Sequence, residues 1–227
     1  MTRHFIHDLE DAYRRLLTLS GSVEQIIERA IGALTRRDVE LAREVIRADE
    51  EIDQTEVRIE EECLKMLALH QPVATDLRRL TTMMKVNNDL EQIADLACGI
   101  AQRASRLVDY PSFPIPELID QLAQRAVQQV RAGLNAFVNH DVRLSQSVIE
   151  KDDDVDELNV KVIESLAQLM QQDAGWIPPA LECFSAARGL EQIADHAVNV
   201  AEDVIYMVDG VIVRHRRSDG IEPASLP

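Results

Sequence analysis

The chain has 227 residues, 46% hydrophobic and 28% charged, an ordinary globular composition with enough length to bury a sizeable core. A formal net charge of −16 argues against a nucleic-acid surface, which needs clustered Lys and Arg, and fits binding of cations or of a basic protein partner. No window approaches 18 uncharged apolar residues and the N-terminus lacks an apolar run, so neither membrane insertion nor a secretory signal is expected and the expected location is the cytoplasm. Cys63, Cys98 and Cys183 lie scattered within apolar helical patterns, as small buried residues do in a reducing compartment.

Apolar residues recur at helical spacing almost throughout, which predicts an all-α fold. The first helix spans about Phe5 to Leu34, and Asp38 is the expected N-cap of a second helix reaching about His70. Pro72 suits the first turn of a third helix running to about Val108. Tyr110–Pro116 then carries three prolines in seven residues, a run that cannot continue a helix and reads as a linker. A fourth helix is expected from about Pro116 to Val138, a fifth from Asp141 to about Gln172 and a sixth from about Pro178 to Val208. This divides the chain into a first unit at 1–109, a linker at 110–116, a second unit at 117–213 and a flexible tail at 214–227.

The two units read as copies of one another. Leu-Glu-Gln-Ile-Ala-Asp occurs at Leu90–Asp95 and again at Leu190–Asp195, 100 residues later. Asp38-Val-Glu-Leu41 matches Asp141-Val-Arg-Leu144, and Asp49–Asp53 matches Asp152–Asp156, at an offset of 103. The three residues lost between these points belong naturally to the hairpin joining the second and third helices of each copy. Short connections favour antiparallel neighbours, so the architecture expected is two tandem three-helix bundles of six long helices.

Each copy carries two acid pairs at i, i+4 spacing, which stacks both carboxylates on one helix face. They are Asp49/Asp53 with Glu91/Asp95 in the first copy, and Asp152/Asp156 with Glu191/Asp195 in the second. If Asp53 faces Glu91 and Asp49 faces Asp95 in an antiparallel hairpin, the turn falls at Pro72. The same pairing in the second copy puts the turn at Asp173-Ala174, beside the Gly175-Trp-Ile-Pro-Pro179 break. Two carboxylates roughly 4 Å apart cost on the order of 4 kcal/mol at an effective dielectric of about 20. Such a group must take up protons, stay splayed in water or bind cations. An all-oxygen donor set suits hard ions such as Mg²⁺, Ca²⁺, Mn²⁺ or oxidised iron. Leu90, Ile93, Ala94 and Ala97 should face the interior and leave Glu91 and Asp95 on a flank, making open surface sites that also admit anions such as phosphate. The plain alternative is a solvated acidic face, unremarkable in a chain with 40 Asp and Glu.

At these residues the chain resembles the PhoU family of bacterial phosphate-transport accessory and signalling proteins. The resemblance covers nearly the whole chain and is densest in Glu61–Arg78, with its Gln71-Pro-Val-Ala-Thr-Asp-Leu-Arg78, and in Leu190–Glu202, with its Leu190-Glu-Gln-Ile-Ala-Asp-His196. It implies two three-helix bundles whose paired acidic motifs, here Asp49, Asp53, Glu91, Asp95, Asp152, Asp156, Glu191 and Asp195, hold metal ions: iron, manganese, magnesium or zinc. It also implies a cytosolic homodimer that represses the phosphate-starvation response, acting between the phosphate ABC transporter's ATPase subunit and a phosphate-sensing membrane histidine kinase. Gln92, Gln192, Ala94 and Ala194 depart from the family pattern. Leu96 and Gly99 stand where the second copy has His196 and Asn199, so the first site lacks two polar groups that could support ligands. The hairpin ends, including Trp176, are candidate partner surfaces, with local packing of Trp176 the alternative.

Two other readings stay open: a carboxylate-bridged di-metal enzyme and a metal-free helical scaffold. The first needs Glu-x-x-His ligands, yet Leu67, Phe137, Ile193 and Ile212 stand three residues before His70, His140, His196 and His215. No phosphate-binding loop, nucleophile elbow or His-Glu-x-x-His motif occurs, so no enzyme is expected.

Overall fold

The computed structural model describes residues 3–213. Seven α-helices carry these residues: α1 (Arg3–Arg36), α2 (Val39–His70), α3 (Thr75–Leu107), α4 (Leu118–Asn139), α5 (Val142–Glu150), α6 (Asp152–Gln172) and α7 (Ile177–Asp209). A 3₁₀ turn at Ala174–Trp176 precedes α7. The fold is all-α and built by tandem repetition. The tail expected at 214–227 lies outside the described residues.

The duplication is visible in backbone conformation as well as in sequence. Helix α1 ends on Arg37 and α4 on His140, both left-handed, with φ of 55° and 53°. The next residue, Asp38 or Asp141, returns its N–H to Ala33 or Ala136 at 2.9 Å. Each aspartate then caps the following helix: Asp38 accepts from Leu41 N at 3.0 Å, and Asp141 from Arg143 N and Leu144 N at 2.9 and 3.0 Å. Such caps satisfy amide groups that the first helical turn leaves unpaired.

Two expectations need correction. Pro72 does not open α3; it follows the α2 C-cap Gln71, whose left-handed conformation (φ 46°, ψ 55°) stops the helix, and α3 starts at Thr75. Proline just beyond a C-cap is a stop signal because its ring cannot extend the helix. The fifth rod is also not continuous: it breaks at Lys151 into α5 and α6. The first copy has Ala48-Asp49-Glu50-Glu51 where the second has Lys151-Asp152-Asp153-Asp154. Aspartate is a poorer interior helix former than Ala or Glu, but is favoured in a first turn, where it faces the positive end of the helix dipole.

The repeats share one hydrophobic core that includes Leu16, Val23, Ile27, Ile59, Leu80 and Leu90 together with Ile119, Phe137, Val162, Leu190 and Val204. Helices α3 and α7 make the most extensive helix–helix contact of the molecule and run antiparallel along its centre. Polar pairs rivet this seam. Arg78 Nε donates to Met207 O at 3.2 Å, Lys85 Nζ pairs with the buried Asp203 at 3.0 Å, Asp89 meets His196 at 2.8 Å, and Arg106 reaches Glu182 at 3.2 Å. Small residues permit the close approach of neighbouring helices. A Cβ at Gly133 on α4 would stand 3.0 Å from the Ala197 carbonyl oxygen of α7, and one at Gly189 would stand 3.2 Å from Ile100. In the connection after α3, Phe113 is buried and its carbonyl accepts from Arg37.

Candidate metal sites

The repeated hexapeptide sits where α3 and α7 face each other. Leu90, Ile93 and Ala94, with Leu190, Ile193 and Ala194, are fully or almost fully buried, as the helical period requires of one face. Glu91 and Asp95, and Glu191 and Asp195, are thereby turned onto the flanks, half-buried or exposed.

On the first flank, α2 and α3 bring all four expected acids within electrostatic reach. Asp49 is pushed up to about 6, first by burial, then by the charges of Asp53 and Asp95, while the neighbouring Cys98 thiol pulls the other way and Glu91 adds a smaller rise. Burial followed by Asp95 raises Asp53. Burial also leads for Glu91, with Asp95 and Asp53 adding and Gln92 opposing; Gln92 Nε2 donates to Glu91 Oε2 at 2.5 Å. On the second flank, Asp195 is pushed up to about 6 by burial, then by Glu191, Asp152 and Asp156. Gln129 Nε2 of α4 donates to Asp152 Oδ1 at 3.3 Å.

These carboxylates are neighbours but do not close on a point. Among the described residues, no three His, Cys, Asp or Glu side chains converge tightly enough to hold one ion as they stand. Each cluster nevertheless holds a buried carboxylate oxygen with no hydrogen-bond partner, Oδ1 of Asp49 in the first and Oε2 of Glu191 in the second. An unpaired buried anionic oxygen is costly, and a cation is the partner its chemistry calls for. The donor sets suit hard ions, and the side chains would swing inward to share one.

Several contributors are not apparent from motif spacing. Glu56 continues the acidic face of α2, is raised by burial and by Glu60, Glu91 and Asp53, and accepts from Asn87 Nδ2 at 2.9 Å. Its sequence signal is helical spacing from Asp49 and Asp53; the equivalent position in the second copy is Asn159. Cys98 touches Asp49, whereas Val198 occupies the matching place. His196, which the sequence suggests as support for the second site, is drawn to Asp89 across the seam, and its charge partly offsets the rise of both Asp195 and Glu91. Trp176 packs against the core, its ring edge-on to Phe113 at 6.3 Å.

An all-helical tandem repeat with an acidic cluster on each copy defines a narrow class, and comparison with known proteins identifies it. The PhoU domain model matches residues 16–104 and again 119–204. The chain belongs to the PhoU family. It is 37% identical over 216 residues to the phosphate-specific transport system accessory protein PhoU homolog of Pseudomonas aeruginosa, covering 95% of this chain and 89% of that protein. The crystal structure of PhoU from Pseudomonas aeruginosa superposes with a TM-score of 0.88 at 36% identity, covering 91% of this chain and 100% of the other. That of the phosphate transport system regulatory protein PhoU from Streptococcus pneumoniae gives 0.86 at 27% identity, covering 92% and 99%.

Proposed function

We propose that this protein is a cytoplasmic, homodimeric accessory protein of a phosphate transport system. It represses the phosphate-starvation response by acting between the transporter's ATPase subunit and a membrane histidine kinase. Near-complete coverage of relatives named as accessory and regulatory proteins of phosphate transport supports this reading. Among the described residues no helix is long and apolar enough to cross a membrane, which suits a partner that meets such assemblies from one side.

Both acidic clusters bind metal in this reading. Asp49, Asp53, Glu91 and Asp95 would hold ions on the first copy, and Asp152, Asp156, Glu191 and Asp195 on the second. Bound cations would neutralise the mutual repulsion of these acids and stabilise the fold by mass action. The observation that carries the metal assignment is the pair of buried, unpartnered carboxylate oxygens of Asp49 and Glu191. Elemental analysis of undialysed protein should find iron, manganese, magnesium or zinc, and Glu191→Ala with Asp195→Ala should empty the second site while the helices persist. Negligible metal in the parent would end this assignment. For the regulatory role, deleting the gene should leave phosphate-starvation transcripts switched on in phosphate-rich medium; unchanged transcripts would remove it.

A further inference from the structure

A cavity of about 420 Å³ lies between the two repeats, away from both acidic clusters, lined by residues of α1, α3, the α4 C-terminus and α7. Its volume falls within the range of small-molecule sites. Leu9 and Tyr13 of α1, Met83 of α3, Val138 of α4 and Met207 of α7 supply apolar walls. Tyr13 stacks on Phe137 at 5.1 Å, and its hydroxyl donates to Phe137 O at 2.9 Å, so the ring is held rigidly as part of the wall.

The charges at the rim single out one ligand class. Arg79 lines the cavity, and among the described residues no hydrogen bond or ion pair engages its guanidinium. Arg14, also on the rim, is tied to Asp11, and Glu10 contributes one exposed carboxylate beside it. Burial and the nearby charge of Arg79 lower His140 from its ordinary value. In a chain of net charge −16, Arg79 brings a positive charge to the edge of an apolar hollow.

We infer that this cavity binds a small organic anion with an apolar body, whose acid group pairs with Arg79 and whose body lies against Tyr13, Met83 and Met207. Arginine is suited to this because its planar fork meets carboxylate or sulfonate oxygens in pairs. The site touches both repeats, so an occupant would clamp them together, and it does not depend on metal at the acidic clusters.

The test uses the full chain and two fluorescent probes with the same ring system, anilinonaphthalene sulfonate and uncharged N-phenylnaphthylamine. Both should bind saturably with one site per chain. Arg79→Gln should weaken the sulfonate about tenfold and leave the neutral probe within about twofold, as expected for losing one charge-assisted contact. Val138→Trp, a change at an exposed position that fills the mouth, should abolish binding of both. Circular dichroism and cooperative melting of each variant guard against probe binding to a loosened fold. Equal sulfonate affinity in the parent and Arg79→Gln, or undiminished binding of both probes to Val138→Trp, would overturn the assignment.

Discussion

Asp49 gives the sharpest test of the acidic clusters, because its removal should strengthen the fold when metal is absent. Burial and three neighbouring acids move its carboxyl from 3.8 to about 6. For a fully buried group that displacement would disfavour ionisation by about 3 kcal/mol, at about 1.4 kcal/mol per pH unit. Asp49 is only part-buried, and solvent screening reduces the figure to about 1 kcal/mol. Asp49→Asn keeps an acceptor for the Cys98 thiol while deleting the charge. In excess chelator at pH 7 it should therefore raise stability by about 1 kcal/mol, or the melting temperature by about 2–4 °C for a chain of this size. The pH dependence follows with a definite sign. The folded pKa lies above the unfolded one, so the folded state holds more protons between about pH 4 and 6; stability falls as pH rises through that window and is level above it. Urea titrations of chelated parent and variant at several pH values read both effects. A less stable variant at pH 7, or an unchanged slope between pH 4 and 6, would mean the carboxylate supports the fold and that the repulsion argument is wrong.

Other perturbations test the seam and the turns. Lys85→Met removes one partner of Asp203; the Asp203 side chain is 3% exposed but that of Lys85 is 43% exposed, so solvent screening limits the expected cost to about 1–2 kcal/mol by chemical denaturation. Gly133→Ala improves helix propensity but sets a methyl 3.0 Å from a backbone carbonyl oxygen that cannot rotate away, so a net loss of about 1–2 kcal/mol is expected by the same method. Ala74 has φ 49° and ψ −118°, conformations glycine tolerates better, so Ala74→Gly should leave stability unchanged or raise it by up to about 1 kcal/mol in thermal melts. Tyr13→Phe deletes the hydroxyl that donates to Phe137 O and should cost about 1 kcal/mol, with the far-ultraviolet spectrum unchanged.

Much of this protein was legible in one dimension. Helical periodicity, the capping aspartates Asp38 and Asp141 and the repeated hexapeptide each follow from interactions within a few residues, and local rules are strong enough to carry them. The eight acids of the two clusters were equally legible, since i, i+4 spacing stacks side chains and a short hairpin leaves neighbouring helices little choice but to run antiparallel. The break at Lys151 was written in the run of three aspartates after it, but it competes with a continuous apolar stripe through Val148 and Val155. Pro72 could serve either helix end, and only the backbone conformation of Gln71 decides between them.

What local pattern could not supply is how the copies meet. Asp89 and His196, Lys85 and Asp203, and Arg37 and Phe113 are remote in sequence, and their partners depend on the crossing of α3 with α7 and on where the connecting chain lies. The sequence alone determined which helices form and which faces carry acid, because those properties arise from neighbours along the chain. Tertiary structure alone decided that His196 turns to Asp89 rather than to its own acidic pair, and that Arg79 overlooks an apolar hollow shared by both repeats. Long-range packing between the copies sets those outcomes, and it has no signature in spacing.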